Sequence, residues 1–86
     1  MVELDGNAAG GILGEIFALE ITASTSCCAG CGAVEPVAAL TVYVDAPGTV
    51  VRCPHCGAVL IRIVHARGRY WLDLTGVRYL ELREGG

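Results

Sequence analysis

Lysine is absent from the 86 residues, and no basic residue of any kind precedes Arg52. Residues 1–51 carry six acids and no base, a charge of −6. The remainder carries six arginines against Asp73, Glu81 and Glu84, a charge of +3, and the two halves give the net −3 of the chain. A general binder of phosphate backbones needs clustered positive charge, so this balance argues against one. Only a local basic face in the second half stays open. Charged residues make up only 17% of the chain, too few for a disordered, solvated polymer. Long apolar runs are missing too, and a bilayer crossing needs about 20 consecutive apolar residues. The start, Met1-Val2-Glu3-Leu4-Asp5, is acidic where a secretion signal would be basic. The expected location is therefore the cytoplasm, where thiols stay reduced and paired cysteines read as metal ligands rather than disulfides.

What the chain does have is cysteine in a pattern. Cys28-Ala29-Gly30-Cys31-Gly32 and Cys53-Pro54-His55-Cys56-Gly57 are two C-x-x-C-G units with twenty-one residues between them. Each turn brings two sulfurs to one side of an ion, and a structural zinc needs four soft donors in a tetrahedron. The glycine after each second cysteine permits a left-handed backbone that turns amide N–H groups toward the thiolates. This is zinc-ribbon spacing, and it assigns Cys28, Cys31, Cys53 and Cys56 as ligands of one structural Zn²⁺. Four thiolates and one Zn²⁺ would add −2, so the metal-loaded chain carries about −5. Metal binding of this kind supplies on the order of 10 kcal/mol to folding, which matters in a chain too short to bury a large core. The fifth cysteine, Cys27, offers a C-x-x-x-C alternative, but the knuckle geometry favours Cys28. Cys27 reads as a small buried hydrophobe, with no arginine near it in sequence to activate a thiolate. His55 and His65 read as solvated side chains, since four thiolates already close the shell.

Catalysis lacks its usual residues. A hydrolytic zinc keeps an open position, commonly with histidine or carboxylate ligands. No Ser-His-acid set, phosphate loop or paired carboxylate stands in the sequence, and the chain is expected not to be an enzyme. Transcript-cleavage elongation factors carry an acidic pair at a ribbon hairpin tip. Here that tip reads Asp45-Ala46-Pro47-Gly48, with one acid.

The rest of the chain predicts a single small α+β domain, residues 1–86: an antiparallel zinc-ribbon sheet with one N-terminal helix. Asp5 or Asn7 can cap a helix over about 5–18, in which Gly6, Gly10, Gly14 and Ala18 recur every four residues. That side-chain-free strip suits close packing on the chain's own sheet or a homodimer seam. Residues 19–83 hold the ribbon and following hairpins. Period-two alternation predicts strands at 19–26, 37–45, 49–52, 58–66, 69–74 and 77–83. Ala46-Pro47-Gly48 and Arg67-Gly68 read as turns. Alternation puts Trp71 on the face opposite Tyr70, Leu72 and Leu74, together with Arg62, Arg69 and Asp73. That face is a possible interaction surface if exposed, and core if the helix covers it.

Taken together, Leu4-Asp5-Gly6-Asn7-Ala8-Ala9, the two knuckles, Val42-Tyr43 and Trp71-Leu72-Asp73-Leu74 before Gly76 resemble a family of small uncharacterised actinobacterial zinc-ribbon proteins, a domain of unknown function. The resemblance spans nearly the whole chain and implies the same four ligands, but no activity. A more distant one is to rubredoxin, whose paired C-x-x-C-G units hold iron for electron transfer. Here Ala33-Val34-Glu35-Pro36 replaces the aromatics that follow the first rubredoxin knuckle. Three functions follow as expectations. The first is a non-enzymatic zinc module that binds an unknown protein partner or itself, away from membranes. The second is a nucleic-acid-binding ribbon in transcription, and the third is an iron electron carrier.

Overall fold

Alternating β-branched residues build the larger of two sheets. The computed structural model describes residues 2–7, 12, 21–45 and 47–82. The strands are β1 (Val2–Asp5), β2 (Thr25–Cys28), β3 (Val34–Pro36), β4 (Thr41–Asp45), β5 (Gly48–Arg52), β6 (Val59–Ala66), β7 (Arg69–Asp73) and β8 (Val77–Glu81). A single 3-10 turn, Val37–Ala39, links β3 to β4. Five strands pair antiparallel in the order β1-β4-β5-β6-β7, and three more in the order β3-β2-β8.

Register puts the apolar residues on one face of the large sheet. Val42 faces Val51, which faces Ile61, and Thr49 faces Ile63, which faces Leu72. Val42, Val51, Ile61 and Ile63 are fully buried, and with Val37, Leu40 and Leu60 they form the core. Leu74, Val77 and Leu80 pack against that cluster from around the small sheet, closing the core between the layers. Buried Ser26 on β2 donates its Oγ–H to the Glu35 carbonyl (3.0 Å), so the hydroxyl is satisfied.

The elements formed by the described residues are all β, two antiparallel sheets and one 3-10 turn, and not the α+β fold with an N-terminal helix expected from sequence; of the expected helix span, only Gly6, Asn7 and Ile12 are described with helical backbone. Asp5, the expected helix cap, ends β1 and accepts the Asn7 N–H at its Oδ1 (3.0 Å), an Asx turn out of the strand. The body of the expected helix lies outside the described residues, apart from Ile12, which packs against the core. Two strands, β1 and β3, were not expected. The expected strand 19–26 is displaced: Thr22 to Ser24 form a turn, and extended backbone begins at Thr25. The expected strand 37–45 begins instead with the 3-10 turn. Hairpin β6–β7 turns as expected through Arg67 (φ 54°) and Gly68 (φ 71°), both left-handed, which matches the twist of the flanking strands. Of the small-residue strip, Gly6 packs within the chain. A Cβ there would lie 1.6 Å from the Val37 carbonyl oxygen, so bare backbone lets β1 run against the 3-10 turn. Gly10, Gly14 and Ala18 lie outside the described residues.

Candidate metal centre

Two strands deliver the cysteines. Cys28 ends β2 and Cys53 directly follows β5, so the first sulfur of each knuckle is fixed by a ladder. From there the chain makes the same turn twice. The Cys28 N–H donates to the Ala33 carbonyl and the Gly32 N–H to the Cys28 carbonyl, both at 2.9 Å. The Cys53 N–H donates to Ala58 and the Gly57 N–H to Cys53, again both at 2.9 Å. Gly32 and Gly57 each have φ 77°, the left-handed conformation the sequence reading asks of them. In both knuckles the first cysteine is buried and the second exposed.

The two turns face each other. Cys28 Sγ lies 3.7 Å from Cys56 Sγ, and Cys31 Sγ lies 3.7 Å from Cys53 Sγ. All four sulfurs fall within 4.8 Å of one another. A tetrahedron with bonds of about 2.3 Å has edges of about 3.8 Å. A disulfide would need about 2.05 Å, so these are unbonded thiols around a common centre. The cluster could hold one metal ion with all four positions filled by protein.

Electrostatics inside the metal-free cluster are asymmetric. The Cys31 N–H points at Cys28 Sγ (3.5 Å). That bond, with help from the Gly30 N–H and the neighbouring thiols and against the effect of burial, lowers Cys28 to about 6. Cys31 receives an N–H from Ala33, which pulls its thiol down, but burial and the hydrogen bonds with Cys53, Cys56 and Cys28 push it up to about 12. One thiolate forms readily and opposes the next, a conflict that a divalent cation removes.

Residues around the cluster brace it. Arg52 donates Nη1–H to the Gly57 carbonyl (2.8 Å) and lies 5.8 Å over the Tyr43 ring. His55 Nε2 pairs with Glu35 Oε1 at 3.0 Å, tying the second knuckle to β3. The sequence reading treated His55 as merely solvated and missed Glu35 and Arg52. Glu35 is twenty residues from His55, so no local signal marks the pair. The Ala29 N–H donates to the Gly76 carbonyl (3.0 Å) and the Gly76 N–H to Leu60 (3.2 Å), which joins the first knuckle to both sheets. Cys27 is buried with its Sγ outside the cluster, near the carbonyls of Cys28 and Gly32.

These features sit in a recognisable lineage. The chain belongs to a family of unknown function, DUF6510. Its family model matches residues 1–85. No curated protein matches the chain. No solved structure matches it either. Membership thus brings no activity, and the geometry carries the functional reading. Among the described residues, no helix is long and apolar enough to cross a membrane.

Away from the metal centre, Trp71 is 50% exposed, so the core alternative for it does not hold. Register places it on the outward face of the large sheet, with Arg62 opposite Asp73 and Ala66 opposite Arg69 on that same face. Asp73 is held below its ordinary value, first by the Thr75 hydroxyl and N–H, which donate to its Oδ1 at 2.6 and 2.9 Å, and then by Arg62. A hollow of about 300 Å³ lies beside them, lined by Val59, Leu60, Arg62, Asp73, Thr75 and Gly76. His65 stacks on Tyr70 with ring centroids 4.0 Å apart.

Proposed function

We propose that this chain is a non-enzymatic interaction module of the cytoplasm, stapled by one structural Zn²⁺ on Cys28, Cys31, Cys53 and Cys56. The observation that carries this is the convergence of four sulfurs, with two cross-knuckle pairs at 3.7 Å. Four thiolates complete a tetrahedral shell and leave a zinc ion no position for water or substrate. The metal then serves the fold, and function passes to exposed surface, of which the Trp71 face is the clearest case. Metal analysis of protein grown in balanced medium tests the staple. One zinc per chain in a colourless sample is expected. Iron and a red colour would instead assign an electron carrier. Capture of a protein partner or self-association, followed by light scattering, tests the module.

The half-exposed Trp71 beside Arg62 and Arg69 also supports a second reading, a nucleic-acid-binding ribbon in transcription, because an exposed indole among arginines can stack on bases. Gel shift at about 20 mM salt tests it, since phosphate contacts strengthen steeply as salt falls.

A further inference from the structure

Four strands edge the two sheets: β1 and β7 in the large one, β3 and β8 in the small one. An edge strand offers unpaired N–H and C=O groups to another chain unless charge, proline or a bulge blunts it. Three of the four are poor templates for a copy of themselves. The charges of β1 are Glu3 and Asp5, and a second β1 brings no opposite charge to them. Strand β3 holds Pro36, which has no N–H to give. On β8, Arg78 and Glu81 are three residues apart and so point to opposite faces, which keeps them from meeting in any two-fold pairing. Strand β7, Arg69-Tyr70-Trp71-Leu72-Asp73, has no proline, and its register with β6 runs without a bulge. Among the described residues no strand covers its outer edge. Arg69 and Asp73 stand two residues either side of Trp71 and share its outward face. Tyr70 and Trp71 are 41% and 50% exposed.

We infer that β7 pairs antiparallel with β7 of a second copy about a two-fold axis at Trp71, joining two five-stranded sheets into one. The axis stands perpendicular to the sheet, so opposed residues lie equally far either side of Trp71 and point to the same face. Arg69 then lies opposite Asp73 of the other copy, and Asp73 opposite its Arg69. Trp71 lies opposite Trp71, a cross-strand aromatic pair, and on the inner face Tyr70 lies opposite Leu72. Register within each copy extends the rows: Arg62, Asp73, then Arg69 and Ala66 of the second copy run across the joint, so each Asp73 stands between two arginines. Moving the axis to Tyr70 or Leu72 would set Trp71 against Arg69 or Asp73 and lose this match. Five residues a side is a small interface, so the dimer is weak and concentration-dependent. This inference rests on the interaction-module reading and specifies its partner.

Sedimentation equilibrium on the full, metal-loaded chain is the test, with Trp71 fluorescence and circular dichroism read in parallel. The chain has one tryptophan, so an exciton couplet between indoles requires two copies. A monomer–dimer equilibrium is expected, with a couplet or a blue shift of Trp71 that grows with concentration. Arg69→Asp alone and Asp73→Arg alone each set like charges opposite twice over, and each should weaken the dimer about tenfold or more. An equimolar mixture of the two variants should restore it, because both contacts of the mixed dimer again join opposite charges. Thermal melting and metal content verify folding of each variant. Arg69→Gln and Asp73→Asn, expected to weaken the dimer less, stand in for one that misfolds. A strict monomer up to about 1 mM would overturn the inference, as would substitutions without effect, failure of the mixture to recover, or a dimer in which Trp71 neither shifts nor couples. Growth beyond the dimer would overturn it too, since β7 on β1 of the next copy repeats without closing. If a folded monomer captures a different protein, the module reading survives and only the second copy is lost.

Discussion

Gly76 lies where its amide donates to Leu60 and its carbonyl accepts from Ala29. A Cβ at this position would sit 1.8 Å from the Val59 carbonyl oxygen, against backbone that cannot swing away. Gly76→Ala is expected to destabilise the chain by about 1–3 kcal/mol, the range for overpacking. Urea denaturation measures this, and an unchanged midpoint would contradict so close an approach. A second prediction at this scale concerns Asp73. Its carboxyl is depressed first by the Thr75 hydroxyl and N–H, then by Arg62. A depressed carboxyl contributes stability that is complete above the ordinary aspartate pKa and lost as pH falls through the folded-state value. Thermal melting should therefore decline on the acid side, and Asp73→Asn should flatten that limb. An identical acid limb in the variant would remove the assignment.

The two knuckles are a repeated element with the same hydrogen bonds and the same glycine conformation. Because each is seeded by a strand end, the sulfurs are placed by ladders that are themselves core. Cys27, one residue before the first ligand, points elsewhere, as neighbours on a strand must. Cys28→Ser is expected to lose the stoichiometric metal, while Cys27→Ser keeps one ion per chain. Native mass spectrometry separates the two, and metal loss in Cys27→Ser would mean the ligand set is misassigned. The elements were unevenly legible. The knuckles and the β6–β7 hairpin announce themselves through glycine, proline and alternation within a few residues. Strand β1 does not, because Val2–Asp5 becomes a strand by pairing with β4 some forty residues away. Strand β3 is three residues next to a ligand loop, held by β2.

At the scale of the molecule, the four-cysteine cluster lies where both sheets meet, since Cys28 belongs to the small one and Cys53 follows the large one. Structural zinc contributes on the order of 10 kcal/mol, comparable with the whole stability of a small domain. Stripping the metal with a strong chelator is therefore expected to abolish cooperative thermal unfolding, followed by circular dichroism. A chelated chain that still melts sharply at its original temperature would show the metal to be dispensable. Acid should act in the same direction. Protons compete with the metal for the four thiolates, so acidification is expected to release it, as native mass spectrometry would show. Sequence by itself determined the four converging cysteines, the left-handed glycines, the main hairpins and the shared face of Trp71, Arg62 and Arg69. All of these are local, set by spacing and by the period of two. Only the tertiary structure decided that Val2–Asp5 pairs with β4, that Gly6 is small because of Val37, that His55 finds Glu35, and that Trp71 is left open. Those depend on which distant segments come to lie side by side, and period and composition carry no information about that choice.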